Sequence, residues 1–192
     1  NSAAISVIGD RNVTSISQVN DENTATVDIG PYTSSDNNAA VTQNGYSNDA
    51  SFGMQDGNLN EVTIDQLGDY NYSEFSIKYG DENTATMDVV GNSNRTRFHI
   101  NTQWGDRSSG NSLDITKTGD ANYVSGAVEG DNNSVSILQD GYSNRVGTSW
   151  YTQDGVNILG NMNTVTVDQM SSGNSSLQSV TGNNNTINVT QN

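Results

Sequence analysis

Primary amides are the one functional group that this chain places at regular intervals. An asparagine opens a short segment sixteen times, at Asn1, Asn12, Asn23, Asn37, Asn48, Asn60, Asn71, Asn83, Asn94, Asn111, Asn122, Asn133, Asn144, Asn163, Asn174 and Asn185. Apolar residues usually follow two and four positions later. Six positions after the asparagine, the even-numbered segments carry Gln18, Gln43, Gln66, Gln139, Gln169 and Gln191, interrupted only by Val89 and Lys117. The odd-numbered segments carry Val7, Ile29, Met54, Ile77, Ile100, Val128, Trp150 and Val180 at that position, and no glutamine. An amide holds both a donor and an acceptor. If identical amides stack one strand apart, ~4.8 Å, each can donate to one neighbour and accept from the other. The expected chemistry is therefore an assembly ladder of Asn12, Gln18, Asn37, Gln43, Asn60, Gln66, Asn133, Gln139, Asn163, Gln169, Asn185 and Gln191.

Catalytic chemistry has little material. His99 is the sole histidine and occupies an outward strand site between Phe98 and Ile100. Carboxylate pairs such as Asp21 with Glu22 and Asp81 with Glu82 sit in turns and read as turn residues rather than as an acid and a base. No cysteine is present, which excludes disulfides and thiolate metal sites. The calcium-roll nonapeptide and EF-hand spacing are missing, and the glycines precede strands rather than phosphate-binding helices. No catalytic residue, metal site or cofactor is expected, and the chain reads as a non-enzyme.

The elements that must hold the amides are strands. Val62, Ile64 and Gln66 alternate with Glu61, Thr63 and Asp65, and Val135, Ile137 and Gln139 alternate with Ser134, Ser136 and Leu138. Period-two alternation rich in Val, Ile and Thr marks a half-buried strand. Steps from even to odd segments are all 11 residues, whereas steps from odd to even segments run 11, 14, 12, 12, 17, 11, 19 and 11. A rigid connection alternating with a variable one gives coils of two strands, with tight turns on one edge and tolerant loops on the other. The loops at 30–36, 101–110 and 151–162 are assigned to the variable edge. Gly-Asp-Tyr-Asn at 68–71 and Gly-Tyr-Ser-Asn at 45–48 and 141–144 supply turn residues. A unit too small to bury its own apolar face must stack on its neighbours. The expected fold is all-β, a flattened β-solenoid of eight two-stranded coils in parallel register, forming a cross-β filament. Its coils start near residues 1, 23, 48, 71, 94, 122, 144 and 174, and residues 1–192 make one domain.

Composition agrees with this economy. Hydrophobic residues make up 31% of the 192, enough for a thin core only because they concentrate at alternate sites. A formal charge of −15, from 22 acidic and 7 basic residues, argues against nucleic-acid binding, which needs clustered Lys and Arg. No apolar run reaches transmembrane length and no signal peptide is visible, so the expectation is a mature, soluble or extracellular segment that is not membrane-embedded. Pro31 falls in a variable loop, where it interrupts no ladder. The alternation already runs at Ala3, Ile5 and Val7 and still runs at Ile187, Val189 and Gln191. With no polar cap in the pattern, a solenoid exposes strand ladders that another copy can extend.

The stretches Asn60 to Asn71, with Gln66 and Gly68, and Asn133 to Asn144, with Gln139 and Gly141, resemble the curlin repeat of bacterial curli fibres. Asn37 to Asn48, with Gln43 and Gly45, is similar. The family differs in often starting one strand with Ser and in placing Gln on both strands. The resemblance implies a major-subunit-like functional amyloid, secreted through the outer membrane and held at the cell surface as a biofilm and adhesion fibre. It also implies self-association head to tail, a nucleator subunit and outer-membrane secretion machinery as partners. The alternative is a secreted monomeric β-solenoid adhesin that binds glycans or calcium through its variable-edge loops.

Overall fold

The computed structural model describes residues 1–32, 34–100, 107–148 and 154–192. The first eight strands are β1 (Ser2–Val7), β2 (Val13–Val19), β3 (Thr24–Ile29), β4 (Asn38–Asn44), β5 (Asp49–Asp56), β6 (Glu61–Leu67), β7 (Tyr72–Tyr79) and β8 (Thr84–Val90). Then follow β9 (Arg95–Ile100), β10 (Ser112–Thr118), β11 (Tyr123–Glu129), β12 (Ser134–Asp140) and β13 (Arg145–Val146). The last are β14 (Val156–Leu159), β15 (Thr164–Met170), β16 (Ser175–Ser176), β17 (Gln178–Thr181) and β18 (Thr186–Gln191). Helix is absent among the described residues.

The odd-numbered and even-numbered segments form two separate parallel sheets, as the alternating step lengths require. One runs β1-β3-β5-β7-β9-β11-β13-β16, with β14 and β17 completing its last two rungs; the other runs β2-β4-β6-β8-β10-β12-β15-β18. The fold is thus a β-solenoid of about eight turns. Register is one-to-one: Asn38 stands beside Glu61, Gln43 beside Gln66 and Leu67 beside Val90. Since a strand turns alternate side chains to opposite faces, this register sends every second residue inward in every coil. Between the sheets lie Val27, Ile29, Phe52, Met54, Phe75, Ile77, Phe98 and Ile100 from one side, and Val41, Val62, Ile64, Met87, Ile115, Ile137 and Val167 from the other. Phe52 and Phe75 stack with centroids 5.9 Å apart. The next rungs of that column are Phe98 and Gly126, and a Cβ on Gly126 would stand 2.4 Å from Phe98 Cε2. Glycine there makes room for the ring below it.

The seventh coil departs from the sequence expectation. After Val146 the odd strand breaks off and resumes at Val156, so that Ile158 lies between Val128 and Val180 in the apolar column. Ile158, not Trp150, fills that rung; Trp150 lies outside the described residues. The third long insertion therefore leaves from within the strand, not from the variable edge as the assignment of 151–162 had it. A Cβ on Gly155 would lie 2.2 Å from the Ser125 carbonyl oxygen, and Gly147 adopts φ +121°. Thr148 N–H donates to Asp154 Oδ1 at 3.0 Å, so the excursion is pinched shut at its base. Counting from Asn144 as though the strand were continuous could not locate such a break.

Candidate functional site

Each opening asparagine after Asn1 follows a residue in the left-handed region. Arg11, Glu22, Asp36, Ser47, Leu59, Tyr70, Glu82, Ser93, Ala121, Asn132, Ser143, Met162 and Asn184 have φ between 52° and 59°, and Gly110 and Gly173 take the place at 66° and 77°. That kink reverses the chain and turns the asparagine side chain into the solenoid wall. The glycine two or three residues earlier is required by proximity. A Cβ on Gly45 would lie 1.9 Å from the Gly68 carbonyl oxygen, and one on Gly68 would lie 2.2 Å from that of Gly91.

So placed, the asparagines form two continuous ladders, one on each edge. On the odd edge the Oδ1 of Asn1, Asn23, Asn48, Asn71, Asn94, Asn122 and Asn144 each accepts the main-chain N–H of the next asparagine in the series, ending at Asn174, at 2.9–3.1 Å. On the even edge the same bond runs Asn12, Asn37, Asn60, Asn83, Asn111, Asn133, Asn163 and Asn185 at 2.9–3.0 Å. The Nδ2 donates onward to a turn carbonyl of the next coil: Asn12 to Ser34, Asn37 to Gly57, Asn60 to Gly80, Asn133 to Gly160 and Asn163 to Gly182. All interior members from Asn23 to Asn163 are buried. A buried amide so placed satisfies main-chain groups that the turn leaves unpaired.

The glutamines do two jobs. Along the stack, Gln18 Nε2 donates to Gln43 Oε1 and Gln43 Nε2 to Gln66 Oε1, both at 2.9 Å. Gln139 Nε2 donates to Gln169 Oε1 and Gln169 Nε2 to Gln191 Oε1, both at 2.8 Å. Across the interior, the same nitrogens donate to the main-chain carbonyl that opens the facing strand: Gln18 to Ser2, Gln43 to Thr24, Gln66 to Asp49, Gln139 to Tyr123, Gln169 to Arg145 and Gln191 to Ser175. This second bond is invisible to a reading of one sheet at a time, because it depends on which strand faces which.

Val89 and Lys117 split the glutamine column into two blocks of three. Below the gap, Gln66 donates to Ser73 Oγ at 3.0 Å instead. Lys117 is fully buried, and its Nζ donates to the Arg95 carbonyl, the place a glutamine would fill. Burial holds its amine well below the ordinary lysine range. One rung on, Gln139 Oε1 has no hydrogen-bond partner among the described residues.

The groups with conventional reactivity do not converge. His99 projects from the outer face of β9, yet its side chain is only 12% exposed, with Nε2 3.8 Å from Glu74 Oε1. Burial is the main cause that pushes its pKa down to about 4, against the opposing pull of Glu74. No group of three His, Cys, Asp or Glu side chains able to hold a metal occurs among the described residues. Tyr46 and Tyr70 meet edge to face at 5.6 Å on the short-turn edge, and Tyr142 is exposed further along it.

The curlin associated repeat matches residues 35–68 and 57–88, the span that holds β4 to β7 and most of β8, with Asn37, Gln43, Asn60, Gln66 and Asn83. No curated protein and no solved structure matches the chain significantly. The matched residues include members of the amide ladders and the glycine turns, and over residues 35–88 the chain is similar to the curlin associated repeat.

Proposed function

We propose that this protein is the structural subunit of an extracellular, curli-like amyloid fibre, adding head to tail by strand stacking. The observation that carries this reading is the translational character of the amide ladders. Every coil offers the next one the same acceptors, asparagine Oδ1 on both edges, over seven consecutive steps on each edge. In the eighth coil Asn174 and Asn185 hold their Oδ1 atoms without an intramolecular partner among the described residues. In the first coil Ile5 and Val7 are 49% and 40% exposed at sites that are buried in the coils above them. A coil of another copy laid on either face would continue both the ladder and the apolar columns. Such a contact joins unlike surfaces and does not close, so it propagates.

In this reading residues 1–192 act as one repeat domain, and the ladder asparagines and glutamines are its assembly residues. The curlin repeat supports an outer-membrane-secreted, surface-attached fibre in a biofilm matrix, with a nucleator subunit starting growth. The strands are added in register, and each coil gains main-chain bonds, amide bonds and one layer of packing. Individual bonds of this kind contribute only ~1 kcal/mol net, so affinity comes from their number. Fibre diffraction of aligned material tests the proposal: a ~4.8 Å reflection along the fibre axis is expected. Monodisperse monomers in electron micrographs after days at micromolar concentration would sink it.

A further inference from the structure

The outer face of the odd sheet carries a second organised column. The first residue after each odd-strand asparagine points outward, and the register stacks Asp49, Tyr72, Arg95, Tyr123 and Arg145 in successive coils. Two of the chain's seven basic residues thus share one line with an aromatic ring between them. Arg95 and Arg145 are exposed and Tyr123 is half-buried. The Arg145 guanidinium lies over the Tyr123 ring at 5.1 Å from its centroid and donates to the Thr148 carbonyl, which holds it across the column. Arg95, Ala121, Tyr123, Ser143, Asn144 and Arg145 enclose a groove of about 350 Å³.

The neighbouring charges are already engaged with one another. Glu74 accepts from Arg97 Nη2 at 3.3 Å and from the Tyr72 hydroxyl at 2.8 Å. Its carboxylate is therefore neutralised beside the groove rather than within it. His99, next along β9, is held neutral by burial at pH 7. The groove is a cationic and aromatic site on a chain whose net charge is −15.

We propose that this groove binds a carboxylate-bearing polysaccharide lying along the solenoid axis, with Arg95 and Arg145 taking successive uronate carboxylates and Tyr123 supporting the sugar between them. Two coil steps of ~4.8 Å separate the arginines by roughly 10 Å along the axis, about the length of one disaccharide. Guanidinium and carboxylate meet as paired parallel hydrogen bonds. The apolar face of a pyranose ring fits the face of a half-buried tyrosine, whose polar tip stays in water. Nucleic acid suits the site less. Duplex DNA brings a charge every ~1.7 Å, far more anions than two arginines can neutralise against the acidic remainder of the chain. A glycan with one acid per disaccharide matches the spacing and limits the repulsion. The site lies on the sheet face, and its occupancy does not depend on whether the chain polymerises.

Titration calorimetry on the folded chain, or co-sedimentation if it is assembled, tests this with an eight-sugar alternating uronate–N-acetylhexosamine oligosaccharide. Its carboxyl-reduced counterpart and a single-stranded DNA of equal charge are the comparison ligands. The uronate form should bind at least about tenfold more tightly than either, the effect of losing one charge-assisted contact. Arg95→Ala, Arg145→Ala and Tyr123→Ala should each weaken binding by about that factor, while Arg107→Ala, on the variable edge, leaves it unchanged. Arg95→Lys and Arg145→Lys should retain part of the affinity, and all these arginine variants should keep the parent β-sheet circular dichroism. Equal binding of the carboxyl-reduced sugar, equal or tighter binding of DNA, or full affinity in the Arg95→Ala, Arg145→Ala double variant would each overturn the proposal.

Discussion

Glutamine 66 illustrates how one side chain serves two sheets. Its Oε1 accepts from Gln43, and its Nε2 reaches the Asp49 carbonyl at 3.1 Å. Truncation to alanine strands buried polar atoms on both sides, a loss of ~1–3 kcal/mol per site. Gln66→Ala and Gln139→Ala should therefore lower the denaturation midpoint and slow assembly, whereas Thr63→Ala and Ser136→Ala on the outer face should stay within about 0.5 kcal/mol of the parent. Equal effects would remove the ladder from the stability account. Lys117 is the converse case, a charge inserted where an amide fits. Its folded pKa lies below the unfolded one, so the stability it withholds at neutral pH returns as pH rises toward the ordinary lysine value. Lys117→Gln should keep the bond to the Arg95 carbonyl, supply a donor to Gln139 Oε1 and add ~1–2 kcal/mol at pH 7. It should also flatten the rise in melting temperature between pH 7 and 10.

At the scale of the element, the turns hold conformations that the residue types do not announce. Period two and step length sufficed to read the strands, their sorting into two sheets and the asparagine register, because those depend on spacing alone. The left-handed residue before each asparagine was not legible. Leu59, Tyr70, Ala121 and Met162 occupy it with no common chemistry, since the closed geometry of the coil imposes the angle. A non-glycine residue held there costs roughly 1–2 kcal/mol, and asparagine tolerates it better. Leu59, 56% exposed, is a suitable site: Leu59→Asn should raise the melting temperature. Gly68→Ala should lower it, because the added methyl meets the Gly91 carbonyl oxygen at 2.2 Å in a turn with φ +117°. Gly53→Ala, on the outer face of β5 with nothing within 4 Å of the new Cβ, should be neutral or favourable by up to ~1 kcal/mol. The displaced rung at Ile158 escaped the sequence for a different reason. An excursion closed at its own base leaves the flanking spacing intact only in three dimensions.

For the whole molecule, acidity and burial set opposing responses to pH. Burial, then Asp65 and Asp114, raise the pKa of Asp88, so the fold favours its protonated form. The stability it contributes is complete below the ordinary carboxylate value and is lost as pH rises through the raised one. Asp88→Asn should increase the melting temperature at pH 7 and change it little at pH 3. His99 acts in the other direction, with a folded pKa of about 4 against an ordinary histidine value of 6.5. Its contribution is present above pH 6.5 and disappears as pH falls toward 4, on the order of 3 kcal/mol. His99→Gln should remove that part of the acid-side decline in a melting series from pH 7 to 4. The asparagine ladders bear on the same scale. The fourteen asparagine carbonyl groups that accept these bonds all point one way along the axis, so their dipoles add rather than cancel. The two tips of the stack are consequently different electrodes, one presenting amide oxygen and the other main-chain hydrogen, and no rotation of the molecule can interchange them.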